Sequence, residues 1–517
     1  MASPQPETFL LTVTNLDRTS DTPLYRQLYD GLRQAILDRR LESGLKLPST
    51  RDLAAGLDLS RNTVKNAYEQ LVAEGYLEAE TGAGTFVTRQ LPADLPSPLA
   101  APDKMRLTGE RPISPLGQGV SHIGCQVRKG TYDQPGISIF DLSGPDLEAF
   151  PLKIWRKITA EVQKSLPLDT LTCAQDGAGY LPLRQAVAAH LRAARAVACE
   201  PEQVVITLGA HQALYLTAQT VISSGQKAWV EEPGYGGAKG SLLCNSIKPV
   251  PVPVDEEGLD VAAGMALAPD ARLAIVTPSH QFPLGYTMSL SRRFQLMNWA
   301  SQAGSWIVED DYDSEFRYSG PPLAALQGLD SNGRVIYIGT FSKVLFPAIR
   351  LAYLVLPPDL VDAYVGVKAT AGVGPPIVVQ AVTAEFIRQG HFARHIRRMR
   401  RLYHQRRDVL LEELACQLGD VIEIGSADCG MHLTIWLPEE IDEDKLASRL
   451  APPARFSTLR YTYMNEPPRP GLILSFAAAC PAEIQRGVKQ LRQAIETATA
   501  KVPANITGQA HFGVTPF

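Results

Sequence analysis

The chain has 517 residues, 45% hydrophobic and 20% charged, an ordinary soluble composition with enough length for more than one domain. Its 50 Lys+Arg against 54 Asp+Glu leave a formal charge of -4, which excludes a protein that holds nucleic acid by being basic throughout. Seven scattered cysteines without a CxxC pair exclude a disulfide framework and a cysteine zinc cluster, and no metal is expected. Met1–Leu11 lacks the basic start and apolar run of a secretory signal, and no stretch approaches the ~20 apolar residues of a membrane span. A cytoplasmic protein without membrane contact is the expectation.

From Thr22 to Arg89 there are nine Lys/Arg and nine Asp/Glu, so pattern rather than charge must carry the reading. Leu24, Leu28, Leu32 and Ile36, with Tyr25 beside them, recur as one helical face. Ser49 can cap a second helix, and Asp52 three residues on completes a capping box; Leu53, Ala54 and Leu57 form the inner face. Ser60 opens a third helix, in which Val64, Ala67, Tyr68 and Leu71 point inward. Its other face presents Arg61, Asn62, Thr63, Lys65 and Asn66 near the N-terminus, where a recognition helix meets base edges and phosphates. A hairpin over 77–87 follows, with glycines at its tip that let backbone approach a phosphodiester.

The string LPSTRDLAAGLDLSRNTVKNAYEQLVAEGYL followed by GAGTFV resembles the winged helix-turn-helix of the GntR regulators over about 65 residues. The resemblance implies that Arg51 and Arg61 contact double-stranded DNA, assisted by Ser60, Asn62, Thr63 and the wing glycine Gly84, with Lys65 on the same helix face.

Residues 91–136 are Pro-rich and weakly periodic, the composition of an extended linker. From about Ile137 buried-looking strands alternate with helical patterns, which implies βαβ units and a mostly parallel sheet. Four strand ends carry chemistry. Val335 to Ile338 runs into Gly339-Thr340-Phe341-Ser342-Lys343, with Arg350 seven residues past the lysine. Trp306 to Val308 ends in Glu309-Asp310-Asp311-Tyr312. Val204 to Thr207 leads to Gly209-Ala210-His211 at a helix start, a phosphate cradle, and Ala228 to Val230 leads to Tyr235. A lone lysine after a strand is usually a solvent group; four such ends in one domain supply an amine, carboxylates, phosphate donors and a flat ring. That is the set a pyridoxal-phosphate site needs.

The order GYLPLR, ITLGAHQAL, EEPGY, TPSHQFPLG, VEDDYDSEFRY and GTFSKVLFPAIRLAY is similar to fold-type I aminotransferases, and specifically to the MocR branch of the GntR regulators. It implies a multidomain chain. A small α+β winged helix-turn-helix spans 22–90, a linker 91–136, and an α/β aminotransferase-like domain 137–500, with a large mostly parallel sheet and a smaller C-terminal α+β subdomain. By the same resemblance Lys343 joins pyridoxal 5'-phosphate covalently, Asp310 pairs with the pyridine nitrogen, Tyr312 donates to the phenolic oxygen and Tyr235 stacks on the ring. Arg350, Ser342, Thr340 and the Gly209, Ala210 and His211 amides hold the phosphate. Period alone leaves Asp310 and Asp311 undecided; the family pattern selects Asp310.

Two departures stand out. Where aminotransferases have Asn-Pro-x-Gly, this chain reads His280-Gln281-Phe282-Pro283-Leu284-Gly285, so the Asn is missing and His280 or Gln281 is left as its replacement. The late strand around Leu472 to Phe476 carries no arginine for a substrate carboxylate, Arg469 sits in a Pro-rich loop, and Gly237 stands where the GABA-responsive member has arginine. The expected function is a homodimeric regulator of operator DNA that senses an amine, an amino acid or pyridoxal phosphate itself; the long linker permits a domain-swapped dimer. GABA is disfavoured. The alternative is a working aminotransferase with a DNA-binding appendage.

Overall fold

The computed structural model describes residues 16–80, 82–89, 113–121, 124, 139–142, 144–171, 177–320, 323–372, 374–449 and 456–499. Most of the expected linker and the tail 501–517 lie outside them. Contacts divide the chain into two compact units, Met1–Pro112 and Ile113–Phe517.

In the first unit, helices α1 (Leu24–Leu37), α2 (Thr50–Leu57) and α3 (Arg61–Ala73) precede the antiparallel hairpin β1 (Leu77–Glu80) and β2 (Gly84–Val87), paired from Leu77↔Val87 to Glu80↔Gly84. Leu28, Leu32 and Ile36 of α1 meet Leu53, Val64, Ala67 and Leu71 in one small core, closed by Leu77 and Val87. Tyr25, read as part of the inner face, is 39% exposed; Tyr29, one turn on, is the buried tyrosine. The N-caps form as the sequence suggests: Ser49 accepts from the Asp52 N–H and Ser60 from the Thr63 N–H. The capping box does not close in its usual form. The Asp52 carboxylate takes the Ser49 hydroxyl at 2.7 Å rather than that residue's backbone N–H.

The second unit is built on an eight-stranded sheet in the order β3-β10-β9-β8-β7-β4-β5-β6. The strands are β3 (Val204–Thr207), β4 (Lys227–Glu232), β5 (Lys248–Asp255), β6 (Gly258–Leu259), β7 (Leu273–Val276), β8 (Trp306–Asp311), β9 (Val335–Thr340) and β10 (Ala352–Val355). Pairs β9–β8, β8–β7, β7–β4 and β4–β5 are parallel, and only β10 and β6 run against the rest. Parallel strands must be covered on both faces, and the two-residue period shows it. Val204, Ile206, Tyr337 and Tyr353 face one core, while Val205, Ile336, Ile338 and Leu354 face the other. The second face receives α5 (Ala210–Val221); the first receives α4 (Leu181–Arg195) and part of α6 (His391–Leu418). Because six strands share a direction, their C-terminal ends open at one edge, where α/β sheets bind ligands.

A smaller antiparallel sheet, β11-β12-β14-β13, follows: β11 (Glu423–Ile424), β12 (His432–Trp436), β13 (Ser457–Thr458) and β14 (Gly471–Ser475). It packs with α6 and α7 (Pro481–Thr499) through Leu433, Leu474, Leu410, Leu414, Val488 and Leu491. The arginine-rich run on α6 is outward: Arg397, Arg398 and Arg401 are exposed, while Ile396, Met399 and Tyr403 are buried.

Candidate functional site

The strand ends converge on a cavity of about 400 Å³. Lys343, Asp310, Tyr312, Tyr235, Arg350, Ser342, Thr340, Gly209, Ala210 and His211 all line it, so every residue assigned to the cofactor from the sequence is on one surface.

Asp310 and Asp311 separate by strand parity. Successive residues of β8 point to opposite faces. Asp310 faces the cavity; Asp311 is buried on the other side, where Oδ2 accepts from Arg195 Nε at 2.9 Å and the Tyr337 hydroxyl at 2.5 Å. Asp310 Oδ1 is buried without a hydrogen-bond partner. Burial, with the negative charges of Asp311, Glu231 and Asp313 near it, pushes the Asp310 carboxyl up to about 7. Such a group needs a donor or a cation, and leaving it without one costs ~1–3 kcal/mol. A protonated pyridine nitrogen is a donor of that kind, so this wall fits the expected cofactor.

Lys343 follows β9 by three residues and is half-buried, its Nζ donating to the Leu142 carbonyl at 2.9 Å. Burial lowers its amine from the usual lysine range, only partly opposed by Asp313 and Asp141. A lysine shifted that way holds more of the neutral, nucleophilic form.

The end of the cavity expected to take the phosphate is shaped by backbone. Gly209, with φ +86°, caps α5 at its N-terminus, and a Cβ there would come within 3.5 Å of the Arg350 guanidinium. The positive φ is what calls for glycine here, while a Cβ would stand only in ordinary van der Waals contact with the guanidinium. Arg350 donates to the Leu208 carbonyl at 3.3 Å, and the Ser342 N–H donates to Thr340 Oγ1 at 3.2 Å.

Tyr235 and His211 are joined hydroxyl to Nε2 at 2.9 Å. A Cβ on Gly237 would lie 2.5 Å from the Tyr235 ring and 2.6 Å from His211 Nε2, so no side chain fits there. Phe282 stands directly before Pro283, where the Asn of the aminotransferase pattern belongs, and its ring meets Tyr235 and Tyr312 nearly at right angles. Neither proposed replacement takes that place. Gln281 spends its amide on the Pro233 and Phe282 carbonyls and Glu231, and His280 is buried with its Nδ1 2.9 Å from Asp313 Oδ1 and from the Tyr312 hydroxyl. Arg469 pairs with Glu423 at 2.7 Å and does not line the cavity.

Sequence reasoning missed several lining residues: Phe282, Asp313, His432, Thr277 and the Asp444–Thr462 side. Asp313 was within reach, two residues past Asp311 in the same acidic string. His432 was not: it lies on β12, more than a hundred residues away, and nothing in its neighbours marks it. His280, Asp313 and His432 bring one ligand atom each within 4.8 Å of one another, a grouping the expectation of no metal did not single out; here Asp313 serves as acceptor for His280.

In the other unit, Arg51, Ser60, Arg61, Asn62, Lys65 and Gly84 are exposed and Thr63 is half-buried by its contact with Ser60. The Arg51 and Arg61 side chains form no hydrogen bond or ion pair among the described residues. Lys65 lies 3.5 Å from Glu69 in an exposed pair worth little. Gly84 has φ +119°, and a Cβ there would meet Lys46 Cε at 2.9 Å; Lys46, unmarked in the sequence, thus stands at the wing beside it.

Comparisons with known proteins agree with both halves. Residues 24–87 match the bacterial regulatory proteins of the gntR family, and residues 145–489 match aminotransferase class I and II. The chain is 38% identical over 93% of its length, and 95% of the other's, to the probable rhizopine catabolism regulatory protein MocR of Rhizobium meliloti. It is 30% identical, over 83% of its length and 87% of the other's, to the pyridoxine biosynthesis transcriptional regulator PdxR of Corynebacterium glutamicum. Among solved structures, LysN, an alpha-aminoadipate aminotransferase from Thermus thermophilus complexed with N-(5'-phosphopyridoxyl)-L-leucine, superposes with a TM-score of 0.68 at 27% identity, covering 74% of this chain and 98% of that one. A GntR head and an aminotransferase class I and II body on one polypeptide, with a MocR relative matched nearly end to end, place this chain in the MocR branch of the GntR transcription regulators.

Proposed function

We propose that this regulator holds pyridoxal 5'-phosphate in the 400 Å³ cavity and that occupancy of the cavity, by the cofactor alone or with a small amine or amino acid, alters the head's affinity for double-stranded operator DNA. The observation that carries the reading is Asp310: a buried carboxyl oxygen without a partner, on the same wall as a buried lysine amine and across from an arginine over a helix N-terminus. The phosphopyridoxyl ligand of the Thermus aminotransferase supports the choice of cofactor.

When bound, pyridoxal phosphate supplies an aldehyde that reacts with amines and a ring that withdraws electrons from them. The chain's residues do the rest. Lys343 Nζ provides the amine that anchors the cofactor, Asp310 Oδ1 holds a proton on the ring nitrogen, and Tyr312 donates to the phenolic oxygen from its place beside His280. Arg350 and the amides from Gly209 onward bind the phosphate, assisted by Thr340 and Ser342, with Tyr235 against the ring. In the head, Arg51 and Arg61 read base edges or phosphates, with Ser60, Asn62, Thr63, Lys65 and Gly84 supporting them. The units are a head over 22–90, a connector over 91–136 and a cofactor body over 137–500, working in the cytoplasm as a homodimer. Among the described residues no helix is long and apolar enough to cross a membrane. Slow or partial transamination at most is expected, because Phe282 fills the Asn position and, among the described residues, Arg350 is the arginine that lines the cavity.

The test is a pair of variants. Lys343→Ala should lose the visible cofactor absorbance, and Arg61→Ala should weaken operator binding with that absorbance unchanged. Wild-type protein that stays colourless with added pyridoxal phosphate ends the cofactor claim.

A further inference from the structure

His280 lies behind the cavity lining, against a residue that belongs to it. Its Nδ1 is 2.9 Å from the Tyr312 hydroxyl, and 2.9 and 3.0 Å from the two carboxylate oxygens of Asp313. The histidine and aspartate side chains are each only 1% exposed. Three groups meeting at one nitrogen leave few places for a proton. An ionised carboxylate only accepts, so a bare lone pair on Nδ1 would face a buried negative charge at 2.9 Å with no hydrogen between them. The proton therefore sits on Nδ1 and points to Asp313, and this holds for the neutral and the charged ring alike. Nδ1 cannot then accept from Tyr312. The phenol turns its oxygen toward His280 and its hydrogen away, toward the cavity that Tyr312 lines.

The ring is held in that orientation from a second side. Gly430 has φ +79°, and a Cβ there would come within 1.8 Å of the His280 ring, so the backbone of this turn lies flat against it. The turn is tied to the segment that carries Tyr312 and Asp313: the Gly430 N–H donates to the Phe316 carbonyl at 2.7 Å, and the Tyr318 hydroxyl donates to the Gly430 carbonyl at 2.5 Å. The His432 ring of β12 stands beside it, with ring centroids 4.9 Å apart.

We propose that His280, oriented by Asp313, is a positioning residue that fixes the direction of the Tyr312 hydroxyl proton and so makes Tyr312 a donor to the phenolic oxygen of the cofactor. This rests on the cofactor reading above and deepens it, by giving His280 and Asp313 a part in tuning the bound ring from behind the wall.

The test uses full-length protein loaded with pyridoxal phosphate and reads the pH midpoint at which the bound cofactor's absorbance changes. A proton donated to the phenolic oxygen draws charge out of the ring and loosens the proton on the nitrogen that Lys343 supplies, so losing the donor raises the midpoint. Asp313, Asp141 and His432 also face the lysine, and Asp310, Glu231 and Cys429 also face Tyr312. Tyr312→Phe should raise the midpoint by about one unit, roughly tenfold in proton affinity. His280→Phe should reproduce most of that rise, because the released phenol turns its proton to Asp313. His280→Asn, which keeps an N–H near the place of Nδ1, should restore most of the wild-type value. Added to Tyr312→Phe, His280→Phe should move the midpoint no further, whereas a shift caused by altered charge around Lys343 would persist in that background. Where the larger ring is not accommodated, His280→Ala carries the same expectation. A wild-type midpoint in both His280→Phe and His280→Ala, an equal shift in the Tyr312→Phe background, or His280→Asn no nearer wild type than His280→Phe overturns the inference. Tyr312→Phe without a shift, in protein that visibly holds its cofactor, fails the earlier assignment of Tyr312. Protein that takes up no cofactor fails the cofactor reading, and the part given to His280 falls with either.

Discussion

The two halves of this chain keep their chemistry in opposite places. In the head, Arg51 and Arg61 stand in solvent with no side-chain partner among the described residues, and the residues beneath them are an ordinary apolar core. In the body, Asp310, Glu231 and Lys343 are drawn out of water, and burial shifts each toward its neutral form. The difference reflects the ligand. A DNA backbone is a large anion met at a surface, where cations must stay free and solvated until contact. A small cofactor is enclosed, so its partners must be fixed in advance and their charges left unbalanced until it arrives.

That contrast can be broken by variants, beginning with the largest effect. Lys343→Ala should abolish covalent retention of pyridoxal phosphate, seen as colourless protein after gel filtration, with the head's folding untouched. Arg350→Ala should weaken the cofactor by roughly tenfold to a hundredfold, the loss of a charge-assisted phosphate contact, measured by equilibrium dialysis. Arg61→Ala should cost the operator complex ~1–3 kcal/mol and relax specificity at one base step, whereas Lys65→Ala should weaken all duplexes alike and lower the salt slope by about one. An Arg61→Ala protein that also loses its cofactor would mean the halves are not chemically separate.

A smaller effect distinguishes the halves by pH. The Asp310 carboxyl rises from 3.8 to about 7 in the folded cofactor-free protein, so between those values the unfolded chain has released a proton that the folded chain keeps. Stability from this group is complete below the lower value and declines as pH rises through the upper one. Thermal unfolding of the body without cofactor should therefore fall over that window. Bound cofactor, or Asp310→Asn, should make the fall shallower without abolishing it, because Glu231, Glu309 and Glu315 are pushed up in the same direction. The head, scanned alone as 16–89 if it folds independently, should show no such slope. The smallest effect is Ser60→Ala, which removes the cap on α3 and should cost the head ~1 kcal/mol.

How much was legible follows from how local each signal is. The helix α3 and the turn at Gly84 could be read because caps, periodicity and turn glycines act within a few residues. Lys343, Asp310, Tyr235 and Gly209 were legible because parallel strands bring their ends to one edge, so four separate strings converge without knowledge of packing. Asp310 over Asp311 needed one more fact, the parity of β8, which depends on which face each strand residue was assigned. Tyr25 was placed with the apolar face and Tyr29 passed over because both lie near the helix stripe; it is Tyr29 that is buried, with Glu74 accepting its hydroxyl. His432 and Asp444 were invisible because the smaller sheet, folded back from the far end of the chain, brings them to the cavity.

The most direct test joins the two halves in one number: the dissociation constant of full-length protein for a duplex selected by that protein from random DNA. It should be measured without cofactor, with pyridoxal phosphate, and with pyridoxal phosphate plus a panel of small amines and amino acids, in wild type and Lys343→Ala. The expected result is a change of about fivefold or more between states in wild type, absent from Lys343→Ala. Identical constants in all three states of wild-type protein that visibly carries cofactor would contradict the coupling of cavity to head.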